Sequence, residues 1–456
     1  MDHNAALRAE FHNLSLSISR QKLRLENLES QLVSIVYPVL TLPFEITSEI
    51  FVQCLPDKRG KDVVNPREAP LLLMQVCVAW RQIAISTPPL WSTFDVVGLN
   101  RLDLTQLASV WFERAGTCPL SIKIEGPLVK ADNFPDFLEI FRRRSREMRS
   151  LDLHTGLNDL ESMGSRLDLA SLRKLSVRVR WESMQQHVHP LHLFQNAYRL
   201  HELTSNLSPS LLHLPWAQLT KFTGELYTPA QCLETTDWMP NLTECALAVS
   251  RTWPDSPIIS HRKLRHLTLF SSPTAHRSCS AIVLAYLTLP ALQTLKIRDV
   301  GEFTGALLDA FLRRSLPPLR QLVVCPETVG GSTEILLSPP FMALRLTELE
   351  IGDPLPAFIS HFFDNLAQKA DFLPRLQVLS VRNCNGPRGP HVGWILSQAA
   401  AAITRRRNNT SGPQLQLFHV TGQKRPAPSF TETELLPFIQ LKESGMDIHI
   451  DSYEGI

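Results

Sequence analysis

Glycine is scarce in this sequence, with 19 residues against 33 prolines in a chain of 456. Phosphate-cradling loops and tight two-residue hairpins depend on glycine at positive φ. Few of either are expected, and prolines should instead mark the ends of many short elements. An excess of one charge is also missing. The formal net charge is +2, which supplies no global field to draw in nucleic acid or an anionic membrane. No apolar run reaches the ~18 residues of a membrane span. The opening MDHNAALRAEFHN lacks a basic stretch followed by an apolar one, so no secretory leader is expected. The eight cysteines, Cys54, Cys77, Cys118, Cys232, Cys245, Cys279, Cys325 and Cys384, include no C-x-x-C pair. Scattered through apolar stretches, they are expected to be small core residues, not a disulfide framework or a zinc site. These absences predict a cytoplasmic or nuclear protein, in which sequons such as Asn241-Leu-Thr243 are chance occurrences.

Catalytic signatures are missing as well. His201-Glu202 lacks the second histidine of H-E-x-x-H, and VGGST at Val329 lacks the lysine of a phosphate loop. No G-x-S-x-G is present. His187, His189 and His192 have H-x-H-x-x-H spacing, and three imidazoles suit zinc or another transition metal. No acidic residue accompanies them, so we assign no metal, no cofactor and no catalytic residue. FRRRSR at Arg142–Arg146 and TRRRNN at Arg405–Arg407 each follow an expected helix. Cations there complement the helix C-terminus, a reading preferred over nucleic-acid binding. The chain is not expected to be an enzyme.

What is present is ordinary globular composition, 44% hydrophobic and 20% charged. The length exceeds what one core supports, so several domains or a repeat array are expected. Three segments separate on pattern: 1–37, 38–95 and 96–456.

The first carries a heptad stripe. Leu7, Phe11, Leu14, Ile18, Leu25, Leu28, Leu32 and Ile35 step by four and three, and Gln21 is the polar exception. The stripe runs for about four heptads. Asp2 or Asn4 can cap its start, and Pro38 ends it. Two readings stand open: a helix packed on its own chain, or a coiled coil through residues 7–35 with a second copy or another partner.

The second segment reads as three short helices. TLPFEITSEIFVQCLP has Thr41 as N-cap, Pro43 near the first turn and Glu45 favourably placed for the dipole. Ile46, Ile50 and Phe51 share a face. After a polar loop, APLLLMQVCVAWRQIAIST gives one helix with Leu72, Val76, Ala79, Trp80 and Ile83 on a face, and PPLWSTF closes the unit. So many apolar residues in so small a unit predict an exposed apolar patch and hence a binding face.

These residues carry a resemblance. Leu42-Pro43-x-Glu45-Ile46-x-x-Glu49-Ile50-Phe51, then Val76-Cys77-x-x-Trp80-Arg81-x-Ile83-Ala84, then Pro89-Leu90-Trp91, is similar to an F-box. The resemblance covers residues 42–94, with a loop at 57–69 longer than the family's usual one. It implies docking on the Skp adaptor subunit of cullin–RING ubiquitin ligases, with the rest of the chain capturing a protein substrate. By position it assigns docking or support to Leu42, Pro43, Ile46, Ile50, Val76, Cys77 and Trp80, and closure of the module to Leu90 and Trp91.

The third segment repeats apolar-x-x-apolar-x-apolar. Copies are Met148-x-x-Leu151-x-Leu153, Leu172-x-x-Leu175-x-Val177, Leu242-x-x-Cys245-x-Leu247, Leu264-x-x-Leu267-x-Leu269 and Leu292-x-x-Leu295-x-Ile297. Leu319-x-x-Leu322-x-Val324, Leu346-x-x-Leu349-x-Ile351, Leu376-x-x-Leu379-x-Val381 and Leu415-x-x-Phe418-x-Val420 continue it. Weaker copies surround Leu200 and Leu219, and PLSIKIEG near Ile122 reads as an opening strand. The alternation turns two apolar side chains inward from a short strand. Helical stretches lie between: NFPDFLEIFRRRS, EFTGALLDAFLRRS, PAFISHFFDNLAQKA and HVGWILSQAAAAITRRR. A single unit cannot bury its own faces, so stacking should give one parallel sheet with helices opposite.

This array resembles leucine-rich repeats, although the spacing is irregular and only Asn383 sits near the family's usual asparagine position. An F-box followed by WFERAGTCPLSIKI and degenerate repeats resembles the large fungal F-box families. The expected fold is therefore α/β: a long helix, a three-helix module, then a solenoid of parallel strands and outer helices. Outward strand residues would line its concave face and hold the substrate: Lys174, Ser176, Arg178, His266, Thr268, Lys296, Arg298, Glu348, Glu350, Ser380 and Arg382. The rival expectation is an interaction scaffold that never enters a ligase.

Overall fold

The computed structural model describes residues 2–34, 42–56, 65–97, 104–127, 134–164, 167–180, 189–249, 258–270, 280–298, 305–324, 338–342, 344–352, 354–382, 392–409, 415–421 and 432–450. The chain forms two compact units. The first is Met1–Asp95 with Val110–Cys118, and the second is Val96–Ser109 with Pro119–Ile456.

In the first unit, α1 (Asp2–Ser34) is one continuous helix, free of proline and glycine. Every side chain from residue 9 to 31 is exposed, so this stretch is not packed on its own chain. Phe11, Leu14, Ile18, Leu25 and Leu28 stand in solvent as a stripe, with Gln21 among them. The seam side chains of Leu7 and Leu32, with Ile35, Pro38 and Thr41, lie outside the described residues.

Helix α2 (Phe44–Gln53) starts with Pro43 itself at the N-cap and no side-chain cap. It buries Thr47 and Phe51 and leaves Ile46 and Ile50 outside, so the expected shared face of Ile46, Ile50 and Phe51 is divided. The cause is Trp80, whose ring lies 4.9 Å from that of Phe51 and draws that side inward. The expected single helix after the loop is two, α3 (Leu73–Val76) and α4 (Val78–Ile85). Cys77 breaks it with φ −158° and ψ 171°, and its Sγ accepts the Trp80 amide at 3.4 Å. A sulfur thus takes the N-cap place that an oxygen usually fills. The break also turns Leu72, Val76 and Ala79 to solvent, where one helix face was expected.

A 3-10 turn (Pro88–Trp91) buries Leu90 and Trp91. Trp91 donates Nε1–H to Ala84 O at 2.8 Å, and its ring meets Trp111 edge-on at 4.7 Å. Trp111 and Phe112 belong to α5 (Leu104–Ala115). Trp111 donates to Thr93 O at 2.8 Å, and the Arg114 guanidinium covers the Trp91 ring at 4.4 Å. Residues 110–118 thus belong to the same compact unit as residues 1–95.

The second unit is built on short strands, which pair in parallel after the first. They are β1 (Thr93–Val97, which carries the chain into this unit), β2 (Leu120–Glu125), β3 (Met148–Thr155), β4 (Lys174–Val179), β5 (Glu202–Ser205), β6 (Lys221–Tyr227), β7 (Glu244–Val249) and β8 (Ile259–Ser260). Then come β9 (His266–Phe270), β10 (Leu287–Thr288), β11 (Thr294–Arg298), β12 (Gln321–Val324), β13 (Glu348–Gly352), β14 (Val378–Arg382), β15 (Leu417–Thr421) and β16 (Asp447–Ile450). One sheet of 14 strands follows chain order, while β8 and β10 pair apart. Within the long sheet each strand lies beside the next one that joins it along the chain, which is a solenoid-like arrangement.

Register explains the repeat. Ile122, Leu151, Leu175, Leu203, Phe222 and Cys245 align strand by strand, and the row continues through Leu267, Leu295, Leu322, Leu349, Leu379, Phe418 and Ile448. All are buried. The leading leucines of the copies, from Leu172 to Leu415, are buried too. Gly224 occupies a place in the second inward row where a Cβ would meet the Phe222 ring at 3.1 Å and Leu247 at 3.2 Å.

Four helices lie where helical stretches were expected: α6 (Phe134–Arg143), α9 (Gly305–Ser315), α11 (Pro356–Gln368) and α12 (Val392–Asn409). Between α6 and α9 are α7 (Leu157–Met163) and α8 (Pro229–Trp238); later come α10 (Pro339–Met342) and α13 (Glu432–Glu443). Helix α8 opens on a reciprocal cap: Thr228 Oγ1 accepts the Gln231 amide at 3.2 Å, and Gln231 Oε1 accepts the Thr228 amide at 2.9 Å.

Arginines near helix C-termini bind carbonyls of neighbouring repeats. Arg142 donates to Met163 O at 3.3 Å, Arg314 to Leu284 O at 2.5 Å and Leu287 O at 2.8 Å, and Arg406 to Phe372 O at 2.8 Å and Leu373 O at 2.6 Å. Burial lowers the pKa of Arg314 and Arg406, yet their carbonyl partners satisfy the charge.

Asparagine acts at Asn206, which was not singled out. Its side chain accepts the Val179 amide at 2.8 Å and donates to Val179 O at 2.7 Å, carrying the β4–β5 pairing past its end. Asn383 lies outside the described residues. Cys232 and Cys245 are core thiols as expected, whereas Cys54 is exposed and Cys77 and Cys118 are half-buried. Among the described residues, no helix is long and apolar enough to cross a membrane.

Candidate partner-binding surfaces

In the first unit the expected docking residues divide by exposure. Leu42, Pro43, Ile46, Ile50 and Val76 are exposed, as are Phe44, Leu72 and Val78. Ile46 is 51% and Val76 56% accessible, far above what a folded core leaves open. Cys77 and Trp80 are half-buried; Cys77 caps α4, and the Trp80 ring packs α4 on Phe51 of α2. Leu90 and Trp91 are fully buried, so they build the core and no partner can reach them. The missing cap on α2 leaves its N-terminus open beside Leu42 and Pro43. Residues 57–64 of the long loop lie outside the described residues.

On the second unit, the outward strand residues named from sequence do share the sheet face opposite the core. That face neutralises its own charge. Lys174 pairs with Glu202 at 2.8 Å and Lys221 with Glu244 at 3.2 Å. Arg178 reaches across β5 to Glu225 at 3.1 Å, and Glu350 holds Arg298 at 3.6 Å and Arg382 at 3.4 Å. Glu348 accepts from Gln321 Nε2 at 2.9 Å. Among the described residues, His266 and Lys296 have no ion pair. Ser176, Thr268 and Ser380 are half-buried in the same face.

The histidine cluster is not assembled among the described residues. His187 lies outside them, His189 is exposed, and His192 stands edge-on to His213 at 4.9 Å.

A site not singled out in the sequence lies at the N-terminal ends of β12, β13 and β14. A cavity of about 610 Å³ is lined by Arg320, Arg345 and Arg375, with Thr347 and Gln377. Its apolar side includes Leu312, Leu316, Pro317, Pro340 and Leu344. All three arginines are exposed. Among the described residues none has an ion pair or a side-chain hydrogen bond. The sequence did hold a signal: in three successive copies an arginine adjoins the leading leucine, as Leu319-Arg320, Arg345-Leu346 and Arg375-Leu376. Only stacking places them around one cavity.

Leu316, at this cavity, adopts φ 42°, a region that favours glycine, and is 79% exposed. Leu373 has a similar φ of 46°, but it is buried and its carbonyl is held by Arg406.

No protein-family model matches this chain, and no curated protein is detectably similar to it, so the functional reading rests on the sequence resemblance and on these surfaces.

Proposed function

We propose that this chain is a substrate-recognition adaptor of a Skp–cullin–F-box ubiquitin ligase. The F-box-like unit docks the Skp adaptor, the leucine-rich-repeat-like array holds a protein substrate, and catalysis belongs to the ligase partners. One observation carries the reading. The apolar residues that the F-box resemblance assigns to docking, Leu42, Pro43, Ile46, Ile50 and Val76, are exposed around a small core of Phe51, Leu90 and Trp91. An apolar patch left in water on a folded unit is the signature of a partner surface.

Co-purification of the full chain with the Skp adaptor tests it. The wild type should form the complex, and Ile46→Ala with Val76→Ala should lose it without unfolding. A wild type that binds no adaptor sinks the ligase reading and leaves the interaction scaffold.

Helix α1 supports self-association under either reading. Its exposed stripe fits a second copy in parallel and in register. That arrangement sets Gln21 against Gln21 of the second copy, so the two amides satisfy each other. An antiparallel pair would bury Gln21 against Ile18 or Leu25. In the parallel pair, Arg24 also flanks Glu29 of the second copy, an attractive pair repeated on both sides.

A further inference from the structure

We infer that the cavity at the N-terminal ends of β12–β14 binds a peptide segment carrying an oxyanion, a carboxylate or a phosphate, next to an apolar side chain. The inference deepens the reading of the array as the substrate-holding half and rests on it.

The open sheet face spends its arginines on its own carboxylates: Arg178 on Glu225, and Arg298 and Arg382 on Glu350. Arg320, Arg345 and Arg375 have no such partners among the described residues, yet they line one cavity. Three like charges around one cavity repel each other, and an incoming anion relieves that repulsion. Guanidinium groups also offer planar forks that match carboxylate and phosphate oxygens two at a time. The acidic groups nearest in the strand register, Glu348 and Glu350, are engaged with Gln321 and with Arg298 and Arg382, and neither lines the cavity.

The other side of the cavity is leucine and proline, so a bare inorganic ion would leave it wet. A peptide brings an apolar side chain to cover it. Leu316 is the exposed contact there. Its backbone is held where leucine is disfavoured, and strain of that kind persists where surrounding structure imposes it. At Leu373 the same geometry accompanies a buried side chain, whereas at Leu316 the side chain stays open to a ligand.

Fluorescence anisotropy on the full chain tests this, with labelled Glu-Leu-Glu-Leu, its phosphoserine counterpart and Gln-Leu-Gln-Leu. Binding of either anionic peptide, at least tenfold tighter than the glutamine peptide, supports the inference. The glutamate and phosphoserine arms separate an acidic from a phosphorylated segment. Arg345→Gln and Arg375→Gln should each weaken binding about tenfold, while Arg262→Gln, exposed and outside the cavity, should leave it unchanged. Leu316→Gly should weaken binding without lowering stability, because glycine accepts φ 42°; a merely structural Leu316 would lower stability instead. Equal binding of all three peptides, or cavity variants that bind like the wild type, overturns the inference. Adaptor co-purification of the same preparations keeps the two readings apart: failed peptide binding with an intact adaptor complex removes the cavity site alone.

Discussion

The two units use apolar residues in opposite ways. The first leaves Phe11, Leu14, Ile18, Ile46, Ile50 and Val76 in water and folds around a few aromatic rings. The second buries row upon row of leucine along its sheet and exposes few large apolar residues, among them Leu316 and Leu436. Its charges follow the same economy, paired between adjacent strands or across one intervening strand. A small unit cannot bury all its apolar surface alone, and here the excess is gathered on helices α1, α2 and α3. A stacked array can, because each repeat covers the next. The contrast is one of coverage: the first unit leaves apolar side chains in water, whereas the second covers its own with neighbouring repeats.

The contrast breaks most sharply under paired alanine scanning. Phe362→Ala in the second unit removes a buried ring packed 5.6 Å from Phe372 and should cost about 3–5 kcal/mol. Ile46→Ala in the first should cost under about 0.5 kcal/mol, as a surface change does, while adaptor binding is lost. Urea unfolding and co-purification read the two outcomes. A large stability loss at Ile46 would place that residue in a core and end the comparison.

Arg406 sharpens the second half. Arg406→Met keeps the bulk but abandons the carbonyls of Phe372 and Leu373, and should cost about 1–3 kcal/mol. The same exchange at exposed Arg81, which donates to Met74 O in the first unit, should cost less, about 1 kcal/mol. Unfolding midpoints compare them directly.

Alkaline titration separates the units by their thiols. Burial pushes the Cys245 thiol from 9.0 up to about 12 and raises Cys232 as well. Below pH 9.0 both folded and unfolded chains keep the proton, and stability is intact. Above it the unfolded chain releases the proton while the folded one retains it. Stability of the second unit therefore falls toward pH 12, by about 1.4 kcal/mol per pH unit for each such thiol. Cys245→Ala should flatten that slope. Exposed Cys54 of the first unit should react with iodoacetamide in the native state, and Cys232 and Cys245 should not.

The smallest effect belongs to the open sheet face. A double-mutant cycle on Lys174 and Glu202 should give at most about 1 kcal/mol, since both side chains are partly exposed. Sedimentation of the full chain closes the set: the wild type should be dimeric, and Leu14→Ser with Leu25→Ser monomeric.

Much of the second unit was legible in the sequence. A period-two alternation behind a leading leucine can be satisfied in few ways, so the strands of the long sheet from β3 to β15 fell where their copies stood, while the short pair β8 and β10 matches no copy. What escaped was local. Helix α13 tolerates Pro437, and α8 carries a weak apolar pattern behind a sound cap. In the first unit the spacing of Ile46, Ile50 and Phe51 admits either side of α2 as the inner one. Trp80 decides, and it comes from a helix that begins only because Cys77 breaks the chain.

By itself, then, the sequence determined the register of the inward rows, the continuity of α1 and the outward placement of Lys174, Arg178, Lys296 and Glu350. These follow from side-chain periodicity, which is a local property of the backbone. Tertiary structure decided which charges cancel and which stay open. Arg178 meets a glutamate 47 positions away, while Arg320, Arg345 and Arg375 converge from three repeats on one cavity. The physical reason is that pairing depends on distance in space, and only stacking of the repeats sets that distance.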